Sequence, residues 1–172
     1  GGTRVGSLIS QTTSDYLKKY LDKSYQYGLG FNYIMNGTCH GDISHNEMYD
    51  KTYKIIRTLE GLGVNQITVS TPYLIQFVQK NFPKMHVTAS INICISSISE
   101  LNLMKSFGVK KIVIDRHINR NFRLLKKLVS YSDIEIEVLV NSMCLLFCSM
   151  HQFHNNINTH YSENSDKDFC FN

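Results

Sequence analysis

Residues 66–91, QITVSTPYLIQFVQKNFPKMHVTASI, decide how this chain folds. Gln66 to Ser70 is a short apolar and β-branched run of the kind that becomes a buried strand. Thr71-Pro72 then opens a helix, because a threonine side chain caps free amide groups and a proline at the first helical position has no amide to leave unpaired. Met85 to Ile91 reads as the next strand. Strand, capped helix and strand in so short a stretch mean parallel pairing through a crossover helix.

The same alternation runs outward in both directions. Upstream, Ser14 to Tyr27 reads as a helix with Ser14 as its N-cap, and Leu29 to Met35 as a strand ending at Asn36. Asn46 to Leu62 follows as a helix, with Met48, Ile55, Ile56, Leu59 and Leu62 at helical spacing and Gly61 and Gly63 as the stop. Downstream come a helix from Ser97 to Phe107 closed by Gly108, a strand from Lys111 to Asp115, a helix from Ile118 to Val129, and a strand from Ile134 to Val140. In the last of these helices Phe122, Leu125, Leu128 and Val129 are expected to pack on the sheet. About five strands result, whereas a closed eightfold barrel takes roughly 250 residues. An open doubly wound sheet and part of a barrel both fit that count. The expected fold class is α/β, a parallel sheet with covering helices, in the form of a partial or truncated TIM-like barrel. Residues 1–160 are expected to form one domain, with a polar tail over 161–172.

Composition narrows the classes of function. The 172 residues carry a formal net charge of +4, and the lysines are scattered (Lys18, Lys19, Lys23, Lys126, Lys127) and form no basic stripe. A solvated surface explains them without nucleic acid as a partner. No run approaches the roughly 18 apolar residues of a membrane span, and there is no signal peptide, so a soluble, cytoplasmic chain without a membrane partner is expected. The five cysteines are an odd number, which favours free thiols or metal ligands over a disulfide framework. Dinucleotide and phosphate-loop glycine patterns, the Gly-x-Ser-x-Gly elbow and His-Glu-x-x-His are all absent. A peptidase reading therefore has no recognisable nucleophile or hydrolytic metal motif behind it.

Candidate site residues gather where strands are expected to end. After the strand at Val140 come Asn141, Cys144 and Cys148, then His154 and His160, which is where soft metal ligands would be placed at the carboxyl end of a parallel sheet. Two thiols and two imidazoles also satisfy zinc, and buried structural thiols remain the plain alternative. Cys39 and His40 follow the strand ending at Asn36 and are expected to face the same end. Cys94, between Ile93 and Ile95, reads as a core filler. Asp115 and Arg116 close a strand as a charged pair, suited to an acid or base beside an anion clamp, or to a structural ion pair.

Several stretches together resemble one family. Ile136 to Cys144 (IEVLVNSMC), Val69 to Ile75 (VSTPYLI), Val87 to Asn92 (VTASIN) and Gly108 to Arg116 (GVKKIVIDR) look like successive strands of the collagenase-like, or U-thirty-two, peptidase family. Asn141, Cys144, Cys148, His154 and His160 match the spacing of one branch, as does the turn Asn119-Arg120-Asn121-Phe122, and Cys170 corresponds to a later cysteine. Ser149, His151 and His117 stand where the family usually has proline, arginine and glutamate. The resemblance implies a barrel-like α/β fold and, despite the name, an iron-sulfur enzyme that hydroxylates RNA bases or aromatic precursors; peptide hydrolysis, or a non-catalytic metal-binding or scaffold domain, is the alternative. It further implies that Cys144, Cys148 and Cys170 hold a four-iron cluster, with His154, Cys39, a further cysteine or a small molecule completing the set and zinc as the rival metal. The expected substrate pocket is framed by Asn36, Ser90, Asp115, Arg116 and Asn141. A second copy of the chain, or another partner, is expected to complete the barrel.

Overall fold

The computed structural model describes residues 11–38, 45–131, 133–141 and 147–161. Its elements are α1 (Gln11–Gln26), β1 (Asn32–Met35), α2 (His45–Gly61), β2 (Gln66–Val69), α3 (Pro72–Asn81), β3 (His86–Ala89), α4 (Ile98–Ser106), β4 (Lys111–Val113), α5 (Phe122–Tyr131), β5 (Glu135–Glu137) and α6 (His151–Tyr161). All four strand pairings are parallel, and the sheet order is β1-β2-β3-β4-β5.

That order separates the two architectures the strand count left open. A doubly wound sheet reverses its strand order partway and so places helices on both faces. Here the order never reverses, and right-handed crossovers then put every connecting helix on one side. The side chains agree. Met35, Ile67, Val69, Val87, Ala89, Ile112 and Ile114 share one buried cluster with Ile56 and Leu59 of α2, Leu74 and Val78 of α3, Leu101 and Met104 of α4 and Leu128 of α5. The alternate residues face the other way, since successive strand side chains point to opposite faces. The result is a run of consecutive units from a (β/α) barrel, with an outer layer of helices and an inner face.

Local chemistry sets the helix ends. The Thr71 hydroxyl accepts from the Leu74 amide at 3.2 Å, with Pro72 next in the first turn, as the sequence predicts. Ser97 caps α4 in the same way, and Gly108 ends its last turn at φ +80°. Three expectations need correction. Ser14 is no cap: α1 begins at Gln11 and Ser14 lies buried inside it, a serine being acceptable in a helix when packing favours it. The helix expected from Ile118 starts at Phe122, because Asp115 caps a short 3-10 turn over Arg116–Ile118 and Asn121 then caps α5 through the Leu124 amide. The packed face is made by Leu124, Leu125 and Leu128. Leu128 is fully buried, but Phe122 is 73% and Val129 62% exposed. Cys94 is also not a core filler. It is half-buried and caps the 3-10 turn after β3 in the left-handed region, at φ 59°, where a residue with a Cβ is strained.

Candidate functional site at the carboxyl ends of the strands

The inner face of the sheet is polar. Asn32, Asn36, Thr68, Thr88, Ser90 and Glu137, with Ile34, Ile91, Val113 and Leu139, line a cavity of about 180 Å³. A barrel interior is ordinarily filled by Val, Ile and Leu, so this lining offers hydrogen bonds where packing is the rule. The Asn32 side-chain amide donates to Thr68 Oγ1 at 2.8 Å, joining β1 to β2. Lys111 Nζ lies 2.9 Å from both Glu135 Oε1 and Glu137 Oε2 across the β4–β5 pair, and those partners push its pKa up.

At the carboxyl ends this face runs into a chain of amides. Asn36 donates weakly to Ser90 Oγ at 3.5 Å, and the Asn36 carbonyl accepts from the Asn92 side chain at 3.0 Å. The Ser90 hydroxyl also accepts from the Asn92 amide, capping the turn that follows β3. Helix α6 is fastened over these groups. Asn155 Nδ2 donates to Asn92 Oδ1 at 3.2 Å and lies 3.0 Å from His151 Nε2, while Thr38 Oγ1 donates to Asn156 Oδ1 at 2.8 Å. Burial, and next to it the Arg116 charge, hold the His151 imidazole below its ordinary pKa, which favours the neutral ring that accepts from Asn155.

The end of β4 carries the charged part. Asp115 is 8% exposed, and its Oδ1 accepts from the His117 amide at 2.9 Å and lies 3.0 Å from His117 Nδ1. The Asp115 amide donates to the Ile95 carbonyl, tying the β3 and β4 ends together. The His117 ring stacks on Phe147, centroids 4.7 Å apart and planes 6° from parallel. Burial pushes the Cys94 thiol up in pKa, and nearby Asp115 adds to that against the opposing pull of Arg116.

Of the residues expected from sequence, Asn36 and Ser90 line the cavity, and Asp115 and Arg116 stand at the adjoining strand end. Asn141 is exposed beyond β5. Cys148 is a half-buried free thiol just ahead of α6, and His154 is exposed on that helix. His160 lies in the last turn of α6, and its side chain falls outside what is described. Cys144, Cys170, Cys39 and His40 also lie outside the described residues. Among the described residues, no three His, Cys, Asp or Glu side chains come together as a metal site. Sequence reasoning noted His117 only as a departure from the family pattern, not as a site residue, and passed over Asn155. An Asp followed two residues later by a histidine in a capping turn is a usable signal for the first. Asn155 reaches the site only because α6 folds back over β3, which no local pattern announces.

An outer ring of helices on an unreversed parallel sheet, with a polar site at its carboxyl ends, defines a barrel-type α/β protein. The family model for peptidase family U32 matches residues 12–171, and the chain belongs to that family. It is 26% identical over 164 residues to the uncharacterized protease MJ1657 of Methanocaldococcus jannaschii, covering 92% of this chain and 47% of that protein. The chain thus spans about half the length of this curated relative. The solved structure of the U32 peptidase Mk0906 superposes with a TM-score of 0.74 over 88% of this chain and 60% of that one, at 19% identity, a likeness of fold.

Proposed function

We propose that this chain is the ligand-binding, cofactor-holding part of an iron-sulfur enzyme of family U32 that hydroxylates a polar substrate, an RNA base or an aromatic precursor. One observation carries the reading: the polar cavity of about 180 Å³ reaches Asn36, Ser90 and Ile91 at the carboxyl ends of the strands, and Asn92, next in sequence, is held by Asn155 of α6, the helix that follows Cys148. Cys144, Cys148 and Cys170 are the residues that would hold a four-iron cluster, with His154 or His160 as further ligands or as donors to them. The cluster would supply one-electron transfer. Cys148 is the described thiol of this set, half-buried and free of a disulfide, which suits a ligand but leaves the coordination to the undescribed residues. The chain's own groups have separate tasks. Asn36, Ser90 and Thr88 would hold the substrate by hydrogen bonds, and Arg116 would receive an anionic part of it. Asp115, Arg116 and Asn141 are the residues proposed for the reacting end.

Peptide hydrolysis is the second reading, supported by the family name and by the relative called a protease. Ser70, Ser90 and Cys94 lend it little. Ser70 donates to the Gly37 carbonyl, Ser90 caps a turn, and the Cys94 pKa is raised, opposite to an activated nucleophile. Anaerobic purification with iron, sulfide and zinc analysis separates the readings. Bound iron and sulfide with a brown chromophore, lost on replacing Cys144 and Cys148 by serine, is the expected result. Zinc alone supports the rival metal. Protein that takes up neither metal on reconstitution, yet cleaves peptides, overturns the proposal.

A further inference from the structure

The 3-10 turn after β4 contains two acceptor atoms whose donors are already engaged. His117 directs Nδ1 at Asp115 Oδ1, 3.0 Å away, so Nδ1 carries the proton and Nε2 is left with a lone pair. Asn119 directs its Nδ2 at the Leu139 carbonyl of the chain leaving β5, so its Oδ1 is left to accept. Both His117 Nε2 and Asn119 Oδ1 are buried and have no hydrogen-bond partner. A buried polar atom without a partner is destabilising, and each such atom in a folded protein calls for an explanation, a bound water, ion or ligand group among them. Two in one turn, both acceptors, ask for donors. Arg116 opens the same turn, and its fixed positive charge disfavours a cationic donor in that neighbourhood.

We propose that His117 Nε2 and Asn119 Oδ1 form a donor-reading subsite, taking the N–H or O–H of a small ligand whose neighbouring anionic group lies on Arg116. Asp115 is its positioning residue. By holding Nδ1–H it keeps Nε2 an acceptor, and its other contact, to the His117 amide, holds the turn that presents both atoms. Phe147 backs the ring by stacking and limits its rotation. The inference rests on the carboxyl end of the sheet being a ligand site, and it is independent of the iron-sulfur assignment.

Nitrogen NMR of histidine-labelled full chain at mildly alkaline pH reads the tautomer directly. The expected result is a His117 ring protonated on Nδ1 with an unprotonated Nε2; a ring protonated on Nε2, alone or with Nδ1, overturns the proposal. N-acetylglycine, which holds an amide N–H next to a carboxylate, is then titrated in as the probe, with acetate and acetamide as controls lacking one half each. A saturable shift of the Nε2 resonance by N-acetylglycine and not by either control supports the subsite. Equal shifts from all three, or none, overturn it. Arg116→Leu is expected to weaken the probe about tenfold, as for the loss of one hydrogen bond to a charged group, and Asn119→Leu to weaken it while leaving the His117 tautomer in place. Should Asn119→Leu fail to fold, the wild-type tautomer and the probe-against-control comparison decide alone. Iron content does not enter any of these readouts, so failure of the cluster reading and failure of this one are distinguishable.

Discussion

Ser97 and Glu100 close the first turn of α4 reciprocally. The Ser97 hydroxyl accepts from the Glu100 amide at 3.3 Å, and the Glu100 carboxylate accepts from the Ser96 amide at 2.7 Å and the Ser97 hydroxyl at 2.9 Å, a variant of the capping box. Ser97→Ala is expected to cost about 1 kcal/mol, seen as a lower melting temperature. Partial burial works to raise the Glu100 pKa, but the hydrogen bonds from Ser96 and Ser97 outweigh it and the carboxyl ends below its ordinary range. The unfolded chain therefore takes up this proton more readily. The stabilisation is fully present above the ordinary glutamate pKa of about 4.3 and is lost as pH falls through the lower folded value. Glu100→Gln should flatten the acid side of the melting-temperature profile; an unchanged profile would refute the assignment. At Gly108, with φ +80°, an added methyl group would meet only ordinary contacts, the nearest at 3.5 Å from the Gln79 side chain. Gly108→Ala should then cost about 1–2 kcal/mol through conformation alone. These caps were legible because each is a local residue pattern, whereas Ser14 carries the same letter and sits inside a helix.

At the scale of elements, α5 and α6 show where pattern reading stops. The apolar residues of α5 repeat at helical spacing, but the stripe that packs is Leu124, Leu125 and Leu128, leaving Phe122 in the first turn and Val129 exposed. Leu128→Ala should destabilise by about 2–5 kcal/mol, while Phe122→Ala should stay within about 0.5 kcal/mol of wild type in denaturant titrations. Equal losses would restore the face expected from sequence. Helix α6 arises from a polar stretch, HQFHNNINTHY, which has no apolar stripe to announce it. Side-chain amides hold it to the β1 and β3 ends instead. Asn155→Ala removes the contact to Asn92 and the partner of His151. Hydrogen exchange in α6 should accelerate, with β2 and β3 remaining protected, and a uniform loss of protection would show that α6 is part of the core.

For the whole molecule, the sheet order makes β1 and β5 the edge strands of the described residues. Unpaired edges invite further strands, and Ile34, 46% exposed on the inner face of β1, adds apolar surface beside one of them. We propose that a second copy or another partner covers these edges. Light scattering of this chain at rising concentration is expected to report association, and Ile34→Lys to reduce it; a concentration-independent monomer would count against the idea. No helix among the described residues is long and apolar enough to cross a membrane.

The sequence by itself determined the alternation of strands and helices, the parallel pairing and the family, because periodicity, caps and strand-end motifs are properties of neighbouring residues. Only the tertiary structure decided that the sheet never reverses, that its inner face is polar, and that His117 Nε2 and Asn119 Oδ1 are buried without partners. Those depend on which strand lies next to which and on how each turn spends its donors. The pairings link residues tens of positions apart, such as Asn92 with Asn155 and Asn119 with Leu139, and no local rule reaches across that distance.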